Sequence, residues 1–133
     1  MKLKRFTNEE LGDTNNVCGL DFDGTLTVGG YPEVGKPQPY AKLFVERLRK
    51  VFKVILYTCR TAPVLLKRRK ITLDQAITEI EEWLEKHDIE IDGICPMPKP
   101  LFDRYIGDEA FNDMMACKMF RIPVSDAQKE EDA

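Results

Sequence analysis

The chain has 133 residues, 43% of them hydrophobic and 32% charged, with a net charge of −3 from 20 basic and 23 acidic side chains. That is the size of one domain, and folding can bury roughly two-thirds of its surface without disulfide or metal staples. The small acidic surplus argues against a dedicated nucleic-acid binder, which carries a basic excess, while leaving room for a local basic patch.

No apolar run approaches the roughly 18 residues of a membrane span, so no transmembrane helix is expected. The opening "MKLKRFTNEELGD" lacks the apolar stretch of a secretory signal. Cys18, Cys59, Cys95 and Cys117 lie far apart with no Cys-x-x-Cys pair. Reduced thiols in a cytoplasmic protein are therefore expected, rather than a zinc site or a disulfide framework.

Residues 1–15 are polar and read as a loosely attached N-terminal extension. "NVCGLDF" at 16–22 is a short apolar run ending in acids, a buried strand. "GGYPEVGKPQP" at 29–39 is too rich in glycine and proline for a regular element and is a loop. Ala41, Phe44, Val45, Leu48, Val51 and Phe52 fall at helical spacing. "KVILYT" at 53–58 is a second strand, and "APVLLKRRK" a connection. Thr72 with Gln75 is a capping-box signature opening a helix whose stripe is Leu73, Ala76, Ile77, Ile80, Trp83 and Leu84. "IDGIC" at 91–95 is a third strand, and "RYIG" at 104–107 a fourth. A helix over 109–118 and a short strand "FRIPV" follow, then a polar tail over 125–133.

That order predicts an α/β domain over 16–124, a parallel sheet with helices on both faces. In such sheets ligands bind at the carboxyl ends of the strands. There stand Asp21 and Asp23 after the first strand, Thr58 and Arg60 after the second, Lys99 after the third and Asp108 after the fourth. Clustered acids repel unless a cation joins them, and carboxylate and carbonyl oxygens suit Mg²⁺. A metal plus a lysine receives a dianion such as phosphate. One carboxylate can attack it, and the other, two residues on, lies on the same side of an extended chain and can move protons. Gly24 lets the backbone turn and offers its amide to phosphate oxygens.

These residues resemble the haloacid-dehalogenase superfamily of Mg²⁺-dependent phosphohydrolases over about 16 to 115. The first motif, DxDGT, stands as Asp21-Phe22-Asp23-Gly24-Thr25. The second is "VILYT" ending at Thr58, the third is Lys99, and the fourth is Gly107-Asp108 with Asp113. The resemblance implies a three-layer Rossmann-like fold and phosphate-monoester hydrolysis through an aspartyl-phosphate. Asp21 would be the nucleophile and Asp23 the general acid and base. Thr58 would bond the transferring phosphoryl group, and Lys99 would neutralise charge. Asp21, the Asp23 carbonyl, Asp108 and Asp113 would hold the metal, with Gly24, Thr25, Cys59 and Arg60 lining the substrate. Gly107 stands where small relatives often carry a second aspartate, which leaves Asp113 or Glu109 for that role. Neither interval that holds a cap domain in this family has room for one. A capless site implies a large substrate or closure by a neighbouring subunit.

Arg60 would either grip a substrate anion or form a surface salt bridge. Cys59 alternates with Thr58, so its side chain is expected in the packing. "KRRK" at 67–70 is either a grip for a polyanion such as a nucleic-acid backbone or a solvated loop. His87, the only histidine, reads as structural. The alternative function is a scaffold of this type, or a receiver-like signalling module, with little or no turnover.

Overall fold

The computed structural model describes residues 2–29 and 31–96 and the backbone of strand 104–106. The elements in chain order are α1 (Asn8–Gly12), β1 (Val17–Leu20), α2 (Ala41–Leu48), β2 (Lys53–Leu56), a 3₁₀ turn (Cys59–Thr61), α3 (Pro63–Arg69), α4 (Leu73–Lys86), β3 (Gly93–Ile94) and β4 (Arg104–Ile106). The expected helix over 109–118, the strand "FRIPV" and the polar tail lie outside the described residues.

The four strands form one sheet in the order β3-β2-β1-β4, every pair parallel. This is the order of a doubly wound sheet, and it puts β1 in the interior. Interior strands are covered on both faces, which is why "VCGL" reads as a continuous apolar run. One face carries Cys18, Leu20, Val54, Leu56 and Ile94, packed with Phe44, Val45 and Leu48 of α2 and Ile77, Ile80 and Leu84 of α4. Each such leucine or isoleucine contributes about 1.5–3 kcal/mol by leaving water. The α2 stripe ends earlier than its spacing predicts, because the helix stops at Leu48 and Val51 is 59% exposed.

The other face carries Val17, Ile55 and Cys95, and what covers it is the N-terminal segment, through Phe6 and Leu11. Residues 3–11 are thus docked on the sheet, where a loosely attached segment was expected. Ile94 N–H donates to Lys4 O and Phe6 N–H to Ile94 O, both at 2.8 Å, so the segment runs parallel beside β3. Gly93 permits this approach, since a Cβ there would run into the Phe6 ring and the Lys4 carbonyl. Thr7 and Glu10 then cap α1 reciprocally. Helices pack on both faces: α2 and α4 on one, and on the other the short α1, from a segment expected to lie outside the domain.

The stretch after β2 is a second correction. "APVLLKRRK" is helical over Pro63–Arg69, with Pro at the first position and Lys70 as a left-handed C-cap at φ 57°. It buries none of its side chains, so no apolar period marks it. The Thr72–Gln75 capping box forms as expected, at 3.1 and 2.8 Å. His87 is the C-cap of α4, its ring 4.7 Å from that of Trp83. Among the described residues no helix is long and apolar enough to cross a membrane.

Candidate active site

β1, β2 and β4 end level with one another: Leu20 pairs with Leu56 on one side and with Ile106 on the other. Asp21 leaves this edge directly, its Oδ1 accepting the Phe22 N–H at 2.8 Å, which orients the carboxylate. The chain then coils tightly. The amides of Thr25, Leu26 and Thr27 all converge on Phe22 O at 3.0–3.3 Å. Gly24 turns the chain at φ 80°, a conformation that favours glycine.

The Gly24 amide already has a partner within the loop. The N–H donates to Thr27 Oγ1 at 3.3 Å, and that hydroxyl donates to Gly29 O. The Thr25 side chain is buried and its hydroxyl has no hydrogen-bond partner among the described residues. Among the described residues it stands as a core group.

The loop after this coil is ordered as a hairpin. Val28 N–H donates to Lys36 O and Gln38 N–H to Leu26 O, both at 2.8 Å. Gly35 has no space for a Cβ because the Val28 and Gly29 carbonyls press against it. The hairpin is moored to α4 by Trp83 Nε1, which donates to Gly35 O at 2.8 Å. The Trp83 ring also meets Phe22 edge-on at 5.0 Å.

Thr58 caps the 3₁₀ turn, its Oγ1 accepting the Arg60 N–H at 3.3 Å. Arg60 is neither a substrate grip nor a surface pair. Its side chain is wholly buried, and it donates through Nε to Asp23 Oδ2 at 2.8 Å and through Nη2 to Asp23 Oδ1 at 2.7 Å. The remaining bonds go to the hairpin tip: Nη1 to Pro32 O and Nη2 to Glu33 O, both at 2.9 Å. The Tyr31 ring lies 5.0 Å over the guanidinium. A planar fork with five donors suits this double task, and lysine could not perform it. Arg60 is thus the residue whose role the sequence hid. Arginine is almost never buried without a partner, and that partner lies 37 positions away.

Cys59 is a further correction, because it is exposed. The strand stops at Leu56, so the alternation that would turn Cys59 inward does not extend to it. Its thiol stands above the usual cysteine range, first through partial burial of the sulfur, then through the charges of Asp21 and Asp23. That makes it a poor nucleophile at neutral pH.

The structure therefore brings Asp21, Asp23, Thr58 and Arg60 to one edge of the sheet. Lys99, Asp108, Glu109 and Asp113 lie outside the described residues. Among the described residues no three His, Cys, Asp or Glu side chains gather as a metal-binding group. The Asp21 carboxylate and the Asp23 carbonyl are hard oxygen donors, the kind that Mg²⁺ takes, and would supply only part of the ligand set it needs.

No family model matches the chain, and no curated protein does. A solved structure of a conserved protein from Bacteroides thetaiotaomicron is similar to it, with a TM-score of 0.54 at 21% identity, over 83% of this chain and 94% of that one. At that identity the likeness concerns the fold: this chain is an α/β protein built on a parallel sheet with helices packed against it.

Proposed function

We propose that the chain is a capless Mg²⁺-dependent phosphohydrolase of the haloacid-dehalogenase type, cleaving a phosphate monoester through an aspartyl-phosphate on Asp21. The observation that carries this reading is the level edge at which Asp21 and Thr58 leave two neighbouring parallel strands, with Asp23 two residues on. Asp21 attacks phosphorus while the ester oxygen departs and takes a proton from Asp23. Water then attacks the aspartyl-phosphate, returning a proton to Asp23 and freeing Asp21. The Thr58 hydroxyl donates to a phosphoryl oxygen, and Lys99 adds positive charge there. The metal ion, held by Asp21, the Asp23 carbonyl and the acids after β4, would neutralise the phosphoryl charge.

Arg60 constrains this scheme. Both Asp23 carboxylate oxygens are engaged by its guanidinium. Proton transfer to substrate therefore requires Asp23 to exchange one of these bonds, or Arg60 and the hairpin tip to shift. The same observation favours a second reading, a module that accepts a phosphoryl group and turns over slowly. Phosphate release from a panel of phosphomonoesters, with Mg²⁺ and with EDTA, separates the two. The first reading expects Mg²⁺-dependent turnover that Asp21→Asn abolishes. Turnover untouched by that substitution would rule out Asp21 as the nucleophile.

A further inference from the structure

Only Ala62 separates α3 from the 3₁₀ turn that Thr58 caps and that contains Arg60, so α3 borders the candidate site. It buries none of its side chains. Its second half and C-cap read Lys67-Arg68-Arg69-Lys70. Of these four, only Arg69 is ion-paired among the described residues, donating to both Glu79 oxygens at 2.8 and 2.9 Å, which ties α3 to α4. α3 packs against the 3₁₀ turn that carries Arg60.

Lys67, Arg68 and Lys70 are exposed and form no ion pair among the described residues. Three adjacent cations in a chain of net charge −3 are a local positive field on an acidic protein. Tyr31 is 39% exposed, and its ring is braced by the Arg60 guanidinium of the turn that leads into α3. Exposed cations that track a phosphate backbone, next to an aromatic ring that can take a base, are the two components of single-strand nucleic-acid binding. A substrate with one phosphate would leave these cations unused, because its phosphate is taken by Asp21. They call for further anions on the same molecule.

We propose that the α3 rim docks the phosphodiester backbone of a single-stranded nucleic acid and delivers a terminal phosphate monoester to the site. This deepens the phosphatase reading and rests on it for the chemistry, but not for the binding. The test is fluorescence anisotropy with a labelled ten-nucleotide oligothymidylate bearing a terminal phosphate, using Asp21→Asn protein over a range of salt. Three backbone contacts on a single strand give a slope of log K against log [salt] of about −2. The triple variant Lys67→Gln, Arg68→Gln, Lys70→Gln in the same background is expected to bind at least about tenfold more weakly at low salt, with the slope near zero.

A slope near zero for the Asp21→Asn protein, or a triple variant that keeps both slope and affinity, overturns the rim. So does a singly phosphorylated peptide that competes as well as the oligonucleotide. Far-UV circular dichroism of the triple variant shows that its fold is kept, and the slope of the Asp21→Asn protein judges the proposal even if it is not. If no phosphoester is ever hydrolysed but the salt-dependent binding holds, the phosphatase reading fails and the rim stands. If small esters are hydrolysed but the oligonucleotide is not bound, the rim fails and the phosphatase stands.

Discussion

Replacing Arg60 with methionine tests how the site is held together. The substitution keeps most of the side-chain volume and removes four hydrogen bonds, two to the Asp23 carboxylate and one each to Pro32 O and Glu33 O. Pro32 and Glu33 are exposed residues, so their carbonyls can regain water at little cost. Asp23 cannot do so as easily, with its side chain only 15% exposed. Removing one partner of such a pair costs about 3–5 kcal/mol, because a charge is left buried and unpaired. At a few degrees per kcal/mol for a chain of this length, Tm should fall by roughly 10–20 °C. Urea unfolding followed by Trp83 fluorescence is the assay. Trp83 is the only tryptophan and is bonded to the hairpin that Arg60 pins. Adding Asp23→Leu to Arg60→Met should recover much of the loss, since no charge is then stranded. A loss within about 0.5 kcal/mol, as for a surface position, would refute the buried ion pair as the brace of this loop.

Gly93→Ala should cost about 1–3 kcal/mol by pushing a Cβ into Phe6 and Lys4 O, read as faster hydrogen exchange at Phe6 and Ile94. Thr72→Ala removes the cap of α4 and should cost about 1 kcal/mol in urea unfolding. Burial, and secondarily the Lys86 charge, hold His87 below the usual histidine range, so the unfolded chain binds its proton more readily than the folded one. The resulting stability is fully present above the ordinary histidine value of about 6.5 and is lost as pH falls through the lower folded value. Urea midpoints from pH 8 to pH 5 should show this loss in the native chain and not in His87→Gln.

The elements legible in the sequence are those whose signal is local. β1 shows itself because an interior strand buries every side chain, and α4 because its cap and apolar stripe lie within one helix. α3 carries no period, since it turns no face to a core. The docking of residues 3–11 depends on Gly93, whose missing Cβ leaves space for a ring more than 80 positions away. The two acids were visible as a pair, and Thr58 as a strand end. What held Asp23 was not, because a buried arginine differs from an exposed one only in what surrounds it. The partner of the Gly24 amide was hidden for a similar reason: the Thr27 hydroxyl, three residues on, accepts it only once the loop coils.

The central claim is a covalent phosphate on Asp21. The most direct test is to mix the protein with Mg²⁺ and p-nitrophenyl phosphate, quench in acid and sequence the peptides by mass spectrometry. Phosphate is expected on Asp21 of the peptide containing "LDFDGTLT", and none in Asp21→Asn. Turnover with no phosphate trapped on that peptide, or with phosphate on another residue, would contradict it.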